Sequence, residues 1–151
     1  MKKTIISSLA ALFFVGLVIV ILQNRRPSAP LSSLDLTSPQ PGLVVDTPKV
    51  NALVSSPLIV SGYVEGKNSW GGFEGQAGTV KLVDSNGKFL AMDVLKATTD
   101  WTKRPTSFTA SLNFAAPQTT NGALVFRNEN PTGNPEFDRE FRLLVKFKWD
   151  E

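Results

Sequence analysis

Glu65 and Glu74 are the residues best placed by type and spacing to do chemistry, because they bracket a glycine-rich stretch containing Gly66, Trp70, Gly71, Gly72 and Phe73. Two carboxylates on such a turn are the material of a Ca²⁺ site or of an acid and base pair. Glu74, set between Phe73 and Gly75, has a second use, since its carboxylate can accept backbone N–H bonds and so fix the turn. Other chemistry is narrowly bounded. The chain has neither Cys nor His, which excludes a disulfide framework, a Cys/His zinc centre, and Ser-His-Asp or Cys-His activation of a nucleophile. No S-x-x-K motif falls in a predicted pocket. Asp84-Ser85-Asn86-Gly87 opens like a calcium loop but lacks the further ligands and the distal Glu, and reads as a turn. The expectation is therefore no metal, no cofactor and no catalytic residue. A carboxylate-dependent hydrolase of the cell envelope is the competing class, and its mark would be two facing carboxylates across a cleft.

Aromatic residues make the second constellation. Trp70, Phe73, Trp101 and Phe137 all sit in turn-rich segments, accompanied by Lys103, Arg104 and Glu136. Rings held on loops by a rigid scaffold form recognition surfaces for peptide or glycan, so Trp70, Phe73, Trp101, Phe137 and Arg104 are the candidate ligand-binding residues. Rings at Trp70 and Phe73 would equally serve to close the open end of a core, and Trp149 at a strand end reads as core.

The elements that must position these loops are strands. Leu58, Val60, Gly62 and Val64 alternate with Ile59, Ser61, Tyr63 and Glu65, as a half-buried strand requires. Val44–Val45 and Val50–Val54, separated by Pro48, read as one interrupted edge strand. Thr79–Val83 and Lys88–Leu95 flank Asn86-Gly87, a strong hairpin signal. Phe108, Ala110, Leu112 and Phe114 alternate with polar residues, and Ala123–Arg127 is a shorter strand. Phe141, Leu143, Val145, Phe147 and Trp149 share one face of the last. Seven strands without a convincing helix predict an all-β, two-sheet sandwich, with the glycine-rich stretch crossing between the sheets. In seven successive antiparallel strands, alternate loops gather at one end, which makes neighbours of 66–78, 97–106 and 128–139.

Before this domain the composition changes twice. Thr4 to Leu22 is almost wholly apolar and uncharged, and about 19 residues at about 1.5 Å each match a hydrocarbon core of about 30 Å. Residues 1–26 are thus expected to be a membrane anchor with basic flanks, the alternative being a signal peptide whose cleavage would release a secreted domain. The order of a short basic start followed by an apolar run puts the domain outside the cytoplasm. Residues 27–42, with Pro27, Pro30, Pro39 and Pro41, read as a Pro/Ser-rich spacer, and 43–151 as the domain. The formal charge of +3 belongs to the flanks: setting aside Lys2, Lys3, Arg25 and Arg26 leaves twelve basic residues against thirteen acidic ones. No basic patch remains for nucleic acid.

The succession SSPLIVSGYVEG, WGGFEGQAGTVKLVDSNGKFLA, SFTASLNFAAP and FRLLVKFKW resembles the immunoglobulin-like domain of bacterial spore germination proteins over about residues 43–149. Its specific elements are Ser56-Pro57-Leu58, Ser61-Gly62, Phe73-Glu74, and Asp84 with Gly87. The resemblance implies an immunoglobulin-like sandwich, a place on bacterial cell-surface or exported proteins, and interaction in place of catalysis. The combined expectation is a single-pass, membrane-anchored extracytoplasmic module that engages a protein or cell-wall glycan. A purely structural spacer or assembly subunit is the remaining alternative.

Overall fold

The computed structural model describes residues 42–66 and 70–148; the apolar run over 4–22, the spacer over 27–41 and Trp149 lie outside them. No helix among the described residues is long and apolar enough to cross a membrane. The described chain is all-β apart from one turn of 3-10 helix at Pro135–Phe137. Eight strands follow in sequence: β1 (Leu43–Thr47), β2 (Ala52–Val54), β3 (Leu58–Val64), β4 (Gln76–Asp84), β5 (Phe89–Ala97), β6 (Thr106–Leu112), β7 (Asn121–Arg127) and β8 (Glu140–Phe147).

They form one hydrogen-bonded sheet in the order β1-β3-β6-β5-β4-β7-β8-β2. The interrupted edge strand expected from the sequence is two strands, on opposite edges. β1 pairs antiparallel with β3, whereas β2 pairs parallel with β8, Ala52 lying opposite Val145. This split dictates the shape. A flat eight-stranded sheet would separate its outer strands by about 34 Å, yet the five residue steps from Thr47 to Ala52 reach at most about 18 Å. The sheet must curl until its edges approach each other, so its inner face closes on itself.

That closure encloses the core. Val60 and Val64 of β3, Phe108 and Leu112 of β6, Leu82 of β4, Leu124 and Phe126 of β7, and Val145 and Phe147 of β8 are buried in one cluster. The alternation read along β3 places Leu58, Val60, Gly62 and Val64 inward, all buried. β7 breaks the pattern, because Gly122 through Phe126 are all buried. It lies between β4 and β8, and Val83, Ala123 and Val125 with Leu144 form a second small cluster. A strand covered on both faces reads as an apolar run.

The expected two separate sheets are joined at one narrow seam. β5 pairs with β4 along most of its length but with β6 only through Lys96 opposite Thr109 and Ala97 opposite Phe108. Beyond this point Asp93 takes over from the backbone. Its Oδ2 accepts the Ser111 N–H at 2.8 Å and its Oδ1 accepts the Val94 N–H at 2.8 Å. The hydrogen bond from Ser111 is the main reason the Asp93 carboxyl is held below the usual carboxylate range, against the opposing effect of its burial.

Candidate functional site

Register fixes which loops share an end of the sheet. Val64 lies opposite Thr106, Gln76 opposite Lys96, and Thr79 opposite Arg127, which in turn lies opposite Glu140. The described parts of the segments 65–75, 98–105 and 128–139 therefore emerge at one pole, as the alternation of strands predicts. The chain enters at this same pole: Leu43 pairs with Val64, and the Glu65 N–H donates to the Gly42 carbonyl at 2.9 Å.

Two of the three segments are locked together by Arg104. Its guanidinium donates from Nη2 to the Gly72 carbonyl at 3.3 Å, and from Nη1 to the Trp101 carbonyl and to the Thr106 hydroxyl at 2.8 Å. Thr106, fully buried, in turn donates its hydroxyl hydrogen bond to the Lys103 carbonyl at 2.9 Å. The seat for this side chain is cut by glycine: a Cβ at Gly66 would strike Arg104 Nε, and one at Gly71 would lie 3.2 Å from Nη2. Arg104 was a candidate for binding ligand; its Nη1 and Nη2 donate to the protein while the residue stays exposed. It acts as a positioning residue that sets one loop against the other.

The aromatic candidates separate according to what surrounds them. Trp70 is fully enclosed, with its indole N–H donating to the Ala77 carbonyl at 3.2 Å. It belongs to the core and offers no accessible ring. Phe73 and Trp101 remain 42% and 39% exposed, and they meet edge to face with centroids 6.4 Å apart and planes at 66°. An edge-to-face pair satisfies the quadrupoles of both rings while both stay partly exposed. Phe137 is 43% exposed at the same pole, in the 3-10 turn capped by Asn134, whose Oδ1 accepts the Glu136 N–H at 3.1 Å. Its loop is braced by Asn128, whose Nδ2 donates to the Phe137 carbonyl at 2.8 Å and whose Oδ1 accepts the Arg139 N–H at 2.8 Å.

Glu74 stands in a role that the sequence did not reveal. Phe73 and Gln76 exchange both backbone hydrogen bonds, at 2.7 and 3.0 Å, around Glu74 (φ 48°) and Gly75 (φ 81°). This is a two-residue hairpin turn with both central residues in the left-handed region, the geometry of a type I′ turn. Among the described residues the carboxylate accepts none of the N–H bonds expected of it, and the Phe73–Gln76 backbone bonds make the turn. Asp84 does behave as a turn residue, its Oδ1 accepting the Asn86 and Lys88 N–H groups, each at 2.9 Å. Asp100 similarly organises its loop: hydrogen bonds from Thr102, foremost from its hydroxyl at 2.7 Å, hold the Asp100 carboxyl below the ordinary range. Among the described residues no three potential metal-ligating side chains come together.

The site residues that the sequence reading passed over are Gly66, Gly71 and Thr106, which seat Arg104. The clustering of glycines was visible, but the partner that needs the space lies more than thirty positions away in the chain. Comparison of this chain with models of known families, with curated proteins and with solved structures finds no match.

Proposed function

We propose that this protein is a membrane-anchored, extracytoplasmic, immunoglobulin-like interaction module. It is not a catalyst, and it engages a protein or cell-wall partner through the pole carrying Phe73, Trp101 and Phe137. The observation that carries the reading is the Phe73–Trp101 pair, two large rings kept at the surface at 6.4 Å by loops that Arg104 holds rigid. A rigid, partly solvated aromatic pair loses little conformational entropy when it is covered by a partner, which is the property of interface anchors.

The immunoglobulin-like element of the proposal is supported by the division of the first strand region between two edges and by the antiparallel pairing, with crossovers, of the six strands between them. The anchored element rests on the 19-residue apolar run alone. The test is site-specific photocrosslinking of the full chain in its native membrane, with a photoreactive phenylalanine analogue at Trp101 or at Val50, an exposed residue in the turn between β1 and β2. Trp101 is expected to capture an extracytoplasmic component and Val50 not. Equal capture from both positions, or capture of cytosolic proteins alone, would overturn the reading.

A further inference from the structure

We infer that the β6-facing edge of β5, beyond the seam at Lys96 and Ala97, takes an extended strand of another polypeptide, with apolar side chains turned inward and acidic ones outward. This edge runs away from the aromatic pole and serves a second contact.

In a strand, alternate residues turn their N–H and C=O groups to opposite sides. The Ala97 N–H donates on the β4 side, to the Gly75 carbonyl at 2.8 Å, and the Thr98 N–H on the β6 side, to the Ser107 carbonyl at 2.9 Å. Even-numbered residues of β5 thus face β6. Continuing the register of Lys96 with Thr109 would set Val94 opposite Ser111. The Asp93 carboxylate stands there instead, accepting both of their N–H groups at 2.8 Å. Past it, the N–H and C=O of Met92 and the C=O of Val94 face an opening where β5 has no strand partner. The described residues leave this opening uncovered: Phe89 and Met92 on one side are 57% and 61% exposed, and Ser111 and Asn113 on the other are exposed.

The two outer edges of the sheet are blunted, as natural edges usually are. β1 has five residues, and its Val45 carbonyl accepts from Lys49 Nζ at 3.5 Å; β2 has three. β5 has nine, and between Phe89 and Leu95 only Asp93 is charged. The exposed backbone groups identify the occupant as a polypeptide, because another extended chain repeats N–H and C=O at the spacing of a strand. Its inward side chains continue the apolar layer that Leu90 begins, half-buried against the core. Its outward ones meet Lys81, Lys88 and Lys96, all exposed, whereas no carboxylate lies at the outward positions of β4 and β5. Lys81 and Lys88 make no ion pair among the described residues. A second copy of the chain would set these lysines against one another, so an acidic partner is the complementary one.

The test measures fluorescence anisotropy of a labelled nonapeptide alternating valine and glutamate against the full chain in nonionic micelles. Its controls are the lysine-for-glutamate counterpart and two N-methylated forms, one methylated at the valine amides and the other at the glutamate amides. A strand added to β5 uses the amides of one set alone, so one methylated form should keep its affinity within about twofold and the other lose at least about tenfold. The lysine peptide is expected to bind at least about tenfold more weakly than the glutamate peptide. The double variant Lys81→Gln/Lys88→Gln should lose about three- to fivefold in affinity at unchanged melting temperature, Met92→Glu should lose more, and Trp101→Ala should lose nothing. Equal effects of the two methylations, equal binding of the two charge forms, no binding of the glutamate peptide, an unaffected double variant, or crosslinking of two copies of the chain through a photoreactive residue at position 92 would overturn the inference. Capture of a partner from position 101 would be untouched by any of these results, so the pole and the edge fail separately.

Discussion

Arg104 reaches across the pole to donate to the Gly72 carbonyl at 3.3 Å, while the same guanidinium holds the carbonyl of Trp101. One side chain thus ties the loop bearing Phe73 to the loop bearing Trp101, and the edge-to-face contact of the two rings depends on that tie. The planar fork of arginine can serve several acceptors in fixed directions, whereas the ammonium of lysine is a single point.

Arg104→Lys should therefore keep the charge and lose the pairing of the rings. The expected cost is about 1–2 kcal/mol of stability, from carbonyls left without donors, together with increased access of Trp101 to a neutral fluorescence quencher. Melting and acrylamide quenching measure the two effects separately. A variant with native stability and native quenching would show that the loops hold each other without Arg104.

The seam between β5 and β6 gives a pH-dependent prediction. Asp93 Oδ2 accepts the Ser111 N–H and Oδ1 accepts the Val94 N–H, and an amide in its place would present a donor to one of them. Asp93→Asn should cost about 1 kcal/mol near neutral pH. Because the folded-state pKa of Asp93 is lowered, its contribution is present above the unfolded-state value and is lost as pH falls through the folded one. The stability gap between wild type and variant should accordingly close below about pH 4. Urea unfolding at several pH values follows it, and a gap that widens on acidification would contradict the assigned role.

The inward positions of β3 and β8 were legible in the sequence because each strand has one face on the core, so burial imposes a period of two. The hairpin between β4 and β5 was legible in Asn86-Gly87. The split of β1 from β2 was not, since segments of five and three residues carry too little pattern to show that their partners lie at opposite edges of the sheet. The same limit applies at the pole. Trp70 and Phe73 are three residues apart in an aperiodic glycine-rich segment, and only the fold decides that one ring goes in and the other out. Arg104 reads in isolation as an available cation because the acceptor that ties it across the pole, the Gly72 carbonyl, lies 32 positions away.

Trp70 should behave as core. Trp70→Phe removes the N–H bonded to the Ala77 carbonyl and part of a fully enclosed ring, at a cost of about 2–3 kcal/mol, with Trp70→Ala nearer the upper end of about 3–5 kcal/mol. Unfolding followed by circular dichroism avoids the loss of the reporter indole. In addition, Trp70 should be protected from acrylamide while Trp101 is quenched, and equal quenching of both would place Trp70 outside the core.

Glu74 gives the most discriminating substitution, because conformation and charge predict opposite outcomes there. At φ 48° it occupies the left-handed region in a two-residue turn whose backbone bonds are already complete. Any side chain other than that of Asn, Asp or Gly bears a cost of about 1 kcal/mol there. Glu74→Gly should therefore stabilise the domain by a few tenths to about 1 kcal/mol, offset in part by the greater freedom of glycine in the unfolded chain. Were the carboxylate a structural acceptor or half of a catalytic pair, the same change would destabilise the turn or abolish an activity. Glu74→Asn separates these further, since it tolerates the backbone conformation while removing the charge. The thermal midpoints of both variants are expected to lie at or above that of the wild type, and a drop in both would restore a structural duty to the Glu74 carboxylate.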